Sequence, residues 1–185
     1  YGVGGRLLFW GGDQWHYREP NTIHDLFCMW GTDINNIHAV GGEGTYRFHD
    51  GKQFQRRDEL TSEEVSLYGV WGSSGDDIYI VGSHGTILHF DGNEENEWKP
   101  MVSGTEEYLL SVWGSSSKDI FAVGDNATIL HYDGNSWSSM DSKTDKYLTK
   151  VRGLSSNCVY AVGDDGLVIR FDGEKWNDMS LGENT

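Results

Sequence analysis

The chain contains little cysteine, little proline and few positive charges. Two of its 185 residues are cysteine and two are proline, and 14 lysine and arginine residues stand against 29 aspartate and glutamate residues, for a formal net charge of −15. A chain this acidic is repelled by phosphate backbones and by anionic lipid, which disfavours nucleic-acid binding and adsorption to membranes. No apolar run approaches the length of about 18 residues that a membrane-spanning helix needs.

The two cysteines, Cys28 and Cys158, lie at non-equivalent positions of different repeats. Two cysteines permit one disulfide, but nothing in their placement favours it over two free thiols. We therefore expect free thiols, which leave the redox compartment open.

The chain begins at Tyr1, with no initiator methionine and no basic-then-apolar leader. We expect a mature form or an excerpt of a longer protein.

Glycine and aromatic residues are abundant. There are 25 glycines, 8 tryptophans, 9 tyrosines and 7 phenylalanines, and aromatic residues make up 13% of the chain. Such a composition supplies many turns and many large packing groups. It disfavours both a disordered chain and a helical bundle.

A repeat of about forty residues covers the chain. Four copies begin at Leu26, Leu67, Leu109 and Leu148, at intervals of 41, 42 and 39 residues. The third copy reads LLSVWGSSSKDIFAVGDNATILHYDGN, and the segment from Tyr1 matches the later part of a copy. Self-similarity at this period is typical of repeat architectures.

Each copy predicts four short strands. Apolar runs of four to six residues, rich in β-branched and aromatic types, end at glycine, aspartate or asparagine. An Asp-Gly pair, the turn chemistry of a tight hairpin, recurs at Asp50-Gly51, Asp91-Gly92, Asp133-Gly134 and Asp172-Gly173. Helix is nearly absent.

Four antiparallel strands per forty-residue unit predict an all-β fold, a β-propeller with four-stranded blades. We predict one domain over 1–185, with blade segments 1–25, 26–66, 67–108, 109–147 and 148–185. Four blades are complete, and the first lacks its initial strand, for nineteen strands in all. The chain is therefore a five-bladed ring short of one strand, or a slice of a longer propeller.

The motifs V-W-G-S-S, A-V-G and G-T-I-L-H-[FY]-D-G-N resemble the propeller repeats of bacterial extracellular and envelope proteins, which are often labelled glycosyl-hydrolase-like. They are also similar to tectonin and tachylectin-type blades over essentially all 185 residues. The resemblance implies an extracellular or cell-envelope location and sugar binding. The chain departs from the tectonin pattern in the second strand, where His38, Tyr79, Phe121 and Tyr160 replace tryptophan.

All eight tryptophans fall in columns of the repeat, which indicates a packing role rather than stacking on sugars. Trp30, Trp71 and Trp113 share one column, in which Arg152 is the fourth member. A charge there implies solvent, a partner carboxylate or a special blade edge. A second column holds Trp15, Trp98, Trp137 and Trp176, and Trp10 occupies a third.

Histidine and the carboxylates offer no clear catalytic or metal site. His89 and His131 share a column with Phe48 and Arg170, which indicates hydrogen bonding within each repeat. No zinc-ligand spacing occurs. The acids of the Asp-Gly hairpins and of the other turns are expected to serve the backbone or face solvent. We predict no catalytic residue and no cofactor, with calcium at Asp125-Asn126 or Asp164-Asp165 as an alternative.

We predict a non-catalytic binding or scaffold module of a secreted or envelope-associated bacterial protein. It recognises a protein or glycan through loops, and it binds no nucleic acid and inserts into no membrane. The candidate surfaces are the most variable connections, Gln55–Ser66, Val102–Tyr108 and Met140–Tyr147. A strand from a longer parent chain or a partner would complete the ring. The alternatives are a tachylectin-like lectin, with equivalent sites in each blade, and a glycoside hydrolase, with one asymmetric cluster of acids.

Overall fold

The computed structural model describes residues 7–10, 12–56, 60–92 and 98–180, with the backbone alone at Phe9, Trp10, Arg18 and Arg56. These residues form eighteen β-strands in five sheets and one short 3-10 turn, Asp164–Gly166. Within the described part of the chain, no helix has the length and apolar character needed to cross a bilayer.

The first sheet has two antiparallel strands, and each of the other four sheets has four antiparallel strands paired in chain order. The first sheet contains β1 (Leu7–Trp10) and β2 (Trp15–Arg18). The second sheet contains β3 (Leu26–Asp33), β4 (Asn36–Gly41), β5 (Tyr46–His49) and β6 (Phe54–Arg56). The third sheet contains β7 (Leu67–Ser74), β8 (Asp77–Gly82), β9 (Ile87–Phe90) and β10 (Trp98–Pro100). The fourth sheet contains β11 (Leu109–Ser116), β12 (Asp119–Gly124), β13 (Ile129–Tyr132) and β14 (Trp137–Ser139). The fifth sheet contains β15 (Leu148–Ser155), β16 (Cys158–Gly163), β17 (Val168–Phe171) and β18 (Trp176–Asp178).

The predicted fold class is confirmed: the protein is all-β and is built from four-stranded antiparallel sheets. Eighteen of the nineteen predicted strands are present. The remaining one begins at Tyr1 and lies outside the described residues. The division of 1–185 into five blade segments stays a prediction.

The antiparallel order places the loops on two faces of the molecule. One face carries the links between sheets and the turns between second and third strands, and we call it the connection face. The hairpin face carries the turns between first and second strands and between third and fourth strands. In the third sheet, for example, 83–86 lies on the connection face and 75–76 lies on the hairpin face.

The first strands of neighbouring sheets lie side by side, in the order β3, β7, β11 and β15. Apolar side chains fill the layers between successive sheets. Leu109, Val112 and Ile120 of the fourth sheet pack with Tyr79 and Val81 of the third, for example. The core is therefore a series of inter-sheet layers, as expected of a repeat protein in which each unit packs against its neighbours.

In β3, β7 and β11, a tryptophan lies over a glycine of the next first strand. A Cβ atom placed on Gly72 would lie 2.6 Å from the Trp30 ring, and one on Gly114 would lie 2.6 Å from the Trp71 ring. Trp113 covers Gly153 in the same way. The column of tryptophans therefore has a packing role, and the glycines provide the space that the indole rings fill.

Arg152 occupies the tryptophan column in the fifth sheet, which no further sheet follows in the described chain. Its side chain is exposed, and its guanidinium donates hydrogen bonds to the carbonyl oxygens of Val112 at 3.3 Å and Val151 at 2.9 Å. Among the alternatives that the sequence left open, the structure therefore places Arg152 in solvent at the edge of the array.

The Asp-Gly pairs shape the hairpins between third and fourth strands. Gly51, Gly134 and Gly173 have φ values of 90°, 95° and 103°, in the region that favours glycine. The Asp172 carboxylate accepts hydrogen bonds from two backbone N–H groups of its turn, at 2.9 and 3.0 Å, and these bonds lower its pKa to about 2. These acids therefore stabilise turns on the hairpin face.

Replacing Gly114 by alanine tests the packing between sheets. The new methyl group would overlap the Trp71 ring, so we expect a loss of about 1–3 kcal/mol in the free energy of unfolding. Gly42→Ala is the matched control, because a Cβ there meets the Phe27 ring at an ordinary 3.7 Å. Urea denaturation measures both variants. Equal effects of the two substitutions would contradict the packing role of Gly114.

Candidate functional site

A row of stacked aromatic rings crosses three sheets at the connection face. The Phe27 and Tyr68 rings stack at 5.5 Å, and the Tyr68 and Tyr108 rings stack at 6.0 Å. His84 meets the edge of Tyr108 at 5.4 Å. Phe27 and Tyr68 are half-buried and Tyr108 is exposed. The row therefore presents ring surface to solvent near the start of the first strands.

Tyr108 reaches the row through a close contact between backbones. It precedes β11, and its carbonyl oxygen accepts a hydrogen bond from the Asp125 N–H at 2.9 Å. A Cβ on Gly124 would overlap that carbonyl. The glycine that ends the motif A-V-G is therefore required sterically. Because it has no side chain, the backbone at Tyr108 can lie against the end of the second strand.

Carboxylates lie beside the aromatic row. Burial, together with the nearby charges of Glu107 and Asp164, raises the pKa of Asp125. Asp164 is held by a hydrogen bond from its N–H to the Tyr147 carbonyl, the equivalent of the bond between Asp125 and Tyr108. These three acids give this part of the connection face a negative potential.

A cavity of about 700 Å³ opens on the same face, between the second sheet and the segments that precede and follow it. Its lining includes Glu19, Glu43 and Glu63. The Arg47 side chain is buried there, and its Nε donates a hydrogen bond to the Asn21 carbonyl oxygen at 2.9 Å. The cavity therefore extends the acidic character of the connection face toward the first sheet.

All three loops predicted as binding surfaces contribute to this region, and Gln55–Ser66 supplies Glu63 to the lining of the cavity. Val102–Tyr108 supplies Glu107 and Tyr108, and Met140–Tyr147 supplies the exposed Tyr147. The third, Gln55–Ser66, is shorter than predicted, because Gln55 pairs with Phe48 as part of β6. Its residues 57–59 lie outside the described residues.

The second tryptophan column is largely structural. Trp137 and Trp176 are buried, Trp98 is half-buried, and only Trp15 is mainly exposed. The rings of Trp98, Trp137 and Trp176 pack against aromatic residues that end the third strands, as Trp176 does with Phe171 at 5.5 Å. The third-column prediction for Trp10 lies outside the described side chains.

The histidine column forms hydrogen bonds within repeats. His89 Nε2 lies 2.7 Å from the Asp77 carboxylate, and His131 Nε2 lies 2.7 Å from the Asp119 carboxylate. Ser73 bonds to Asp77, so the serine hydroxyl contacts the acid and not the imidazole. A nucleophilic triad requires a bond between serine and histidine. These groups therefore tie the second strand to the third.

The column that holds His89 and His131 has other residues in the second and fifth sheets. Phe48 in the second sheet and Arg170 in the fifth take the place of the histidine, and a hydrogen bond with Cys158 raises the pKa of Arg170. Cys28 and Cys158 are both free thiols, as expected.

No group of three or more histidine, cysteine or acidic residues in the described ranges is placed to hold a metal ion. The calcium alternative at Asp125-Asn126 or Asp164-Asp165 stays a prediction.

The aromatic row was not predicted from the sequence. Phe27 and Tyr68 share a column with Leu110 and Thr149, so the column shows no consistent aromatic signal. Tyr108 comes from a different position, immediately before the first strand. Aligning the copies of the repeat compares equivalent positions. It does not reveal a surface that is built from different positions of adjacent copies.

Asp125→Asn tests the electrostatics of the site. Because the folded-state pKa of Asp125 is raised, its ionised form opposes folding, and we expect the variant to melt at a higher temperature at pH 7. The gain disappears below the ordinary aspartate pKa of 3.8, where the carboxyl is protonated in both states. Thermal melts from pH 7 to pH 3 measure the difference.

Asp172→Ala is the control for that experiment and should behave in the opposite way. Its lowered pKa means that the carboxylate stabilises the fold at pH 7, and this contribution is lost as the pH falls from 3.8 toward 2. A lower melting temperature of Asp125→Asn at pH 7 would contradict the electrostatic account.

Comparisons with known proteins identify the fold. No family model and no curated protein matches the chain. Among solved structures, the chain is similar to YCF48 bound to D1 peptide (TM-score 0.69, 15% identity, 87% of this chain and 55% of that chain). It is also similar to YCF48 from Cyanidioschyzon merolae (TM-score 0.67, 14% identity, 94% of this chain and 66% of that chain).

A third similar structure is a chain of the outer coat vertex of COPII on membranes (TM-score 0.73, 13% identity, 95% of this chain and 55% of that chain). The chain thus spans between about half and two thirds of the length of these β-propeller proteins. At these identities the likeness shows the fold alone: five consecutive sheets of this chain are arranged as in a β-propeller.

Proposed function

We propose that the protein is a non-catalytic binding module that holds an extended, basic segment of another protein on its connection face. The row formed by Phe27, Tyr68 and Tyr108 is the observation that supports this most strongly. Its ring spacings of 5.5 and 6.0 Å are close to the distance of about 6.5 Å between alternate side chains of an extended peptide. Ring surface of this kind is typical of binding hot spots.

Charge complementarity favours a basic ligand. Glu107, Asp125 and Asp164 lie beside the row, and the whole chain has a net charge of −15. Arginine combines a positive charge with a planar group that stacks on aromatic rings. A segment with arginine at alternate positions would therefore contact both the rings and the carboxylates.

A similar structure gives a precedent for peptide binding on this fold, since one of the YCF48 structures contains a bound D1 peptide. The precedent concerns that protein. For this chain, the proposal depends on the aromatic row and on the charges beside it.

A tachylectin-like lectin is less well supported, because such a lectin repeats its site in each blade. The column of Phe27 and Tyr68 loses its aromatic character at Leu110 and Thr149. An asymmetric row fits one extended ligand better than several equivalent sugars.

A glycoside hydrolase would use Asp125 as its acid, because burial raises the pKa of this carboxyl. Asp125→Asn would abolish activity in such an enzyme. Under the binding proposal, the same substitution weakens binding of a basic peptide and stabilises the fold.

We also propose that additional strands, from a longer parent chain or a partner, cover the outer face of the fifth sheet. Tyr160 and Val162 are each 38% exposed there, beside Arg152. The equivalent face of the fourth sheet packs through Trp113 onto the fifth. We also propose an extracellular or cell-envelope location, for which the resemblance of the repeats is the only support.

The binding proposal predicts that an (Arg-Ser)5 peptide binds and that an (Glu-Ser)5 peptide does not. Fluorescence polarisation of labelled peptides measures both. Tyr108→Ala should weaken binding at least about tenfold, because it removes the ring at the exposed end of the row. Higher ionic strength should weaken binding as well, because it screens the carboxylates.

Tyr160→Ala is the matched control, since Tyr108 and Tyr160 are both 38% exposed but only Tyr108 belongs to the row. The control should bind like the wild type. Equal binding of the two peptides, or equal effects of the two substitutions, would contradict the proposal.

A further inference from the structure

A second cavity opens on the hairpin face, opposite the proposed peptide site, between the second and third sheets. Its volume is about 200 Å³. Its lining consists of five ring side chains, one carboxylate, one amide and one glycine: His38, Tyr46, Phe48, Phe90, Trp98, Asp76, Asn36 and Gly75. This volume is below the roughly 300–1,000 Å³ of pockets for drug-sized ligands, so it suits a single chemical group.

The rings stand as walls at different angles. Tyr46 and Trp98 meet edge to face at 73° with centroids 5.3 Å apart, and Phe90 lies 5.6 Å from Trp98. His38 and Phe48 form another side, with centroids 5.1 Å apart. The His38 ring is buried, with Nδ1 2.8 Å from the Tyr46 hydroxyl. The walls are therefore held in place by contacts within the protein.

The equivalent space between the third and fourth sheets is filled. Tyr79, which corresponds to His38, places its ring 5.9 Å from Tyr132 and 6.5 Å from Trp137, and both of these residues are buried. Phe121 fills the next space in the same way, against Phe171 and Trp176. The cavity between the second and third sheets, which we call the aromatic cavity, therefore lies where the second sheet has His38 and Tyr46 in place of Tyr79 and Ile87 of the third.

The opening of the cavity also differs from those of the other copies. Gly75 lies at the rim where the fourth sheet has Ser117, and a Cβ on Gly75 would lie 3.0 Å from the Asn36 side chain. The exposed Asp76 lies beside it, where the fourth sheet has Lys118. The copy with the cavity thus has a negative charge at a position that is positive in the next copy.

We propose that this cavity binds a trimethylammonium group. Aromatic faces attract cations, and the Asp76 carboxylate and the acidic chain add to that attraction. A primary ammonium has three N–H donors that need acceptors, and two polar atoms beside the rings, the Tyr46 hydroxyl and Asn36 Oδ1, already hydrogen-bond with His38. A methylated ammonium has no such need. The proposal goes beyond the peptide site, because the residues that carry it lie on the opposite face.

Isothermal titration calorimetry with three probes tests the proposal. Choline and N-acetyl-trimethyllysine amide should each bind with a stoichiometry of one, and the tighter of the two identifies the source as a free small molecule or a protein side chain. The neutral isostere 3,3-dimethylbutan-1-ol should bind at least about tenfold more weakly, because it lacks the charge. Equal affinity for the isostere, or no saturable binding of any probe, overturns the proposal.

Two variants locate the binding. Asp76→Lys changes an exposed residue to the one in the next copy, and it should weaken choline binding at least about tenfold. Lys118→Asp is the matched control: it should leave the affinity unchanged, because Tyr79 fills the space beside it. Unchanged binding in Asp76→Lys overturns the assignment of the site.

His38→Tyr places the residue of the third sheet in the cavity and should abolish binding. Because His38 is hydrogen-bonded, circular dichroism melts establish whether this variant folds. If it does not fold, the Asp76→Lys result decides the question alone. Binding of choline to a folded His38→Tyr variant with wild-type affinity overturns the proposal.

Discussion

The contact between a tryptophan ring and the glycine of the next sheet is the interaction on which the rest of the structure depends. Trp30, Trp71 and Trp113 each lie over a glycine of the following first strand. Any side chain on the glycine would displace the ring, so the two residue types are required together. This contact spaces the first strands and aligns their ends, and the alignment in turn places the loops of successive sheets on common faces.

The same framework has two surfaces that depart from its symmetry. On the connection face, Phe27, Tyr68 and Tyr108 form a row although they do not share one column of the repeat. On the hairpin face, His38 leaves open a space that Tyr79 and Phe121 fill in later copies. In both places the contacts between tryptophan and glycine that join the sheets are retained, while other residues near the ends of the sheets differ between copies. We infer that function depends on these departures.

The sequence was sufficient to predict the strands, their grouping into sheets and the packing role of the tryptophans. Each of these features repeats, and repetition is visible along the chain as a fixed interval. The unusual residue Arg152 was also recognised, because the other three copies have tryptophan at the same position of the repeat. Its exposed position at the edge of the array follows from the absence of a further sheet beside it in the described chain.

The sites were not predictable in the same way. Tyr108 joins Tyr68 because the backbone of one copy approaches the next, and such a distance between copies leaves no mark in any single column. The aromatic cavity depends on His38, a smaller ring than Tyr79 of the next copy, and on Gly75 at its rim, which aligned copies show only as ordinary variation. Both sites required distances and angles between neighbouring sheets.

Hydrogen exchange of a Trp113→Arg variant tests the central claim most directly. The substitution gives the fourth sheet the residue that the fifth sheet has in this column, so it removes the ring that covers Gly153. We predict that the amides of β15 and β16 lose protection, while those of β3 and β4, two sheets away from the change, retain it. Wild-type protection in β15 and β16 would contradict the account.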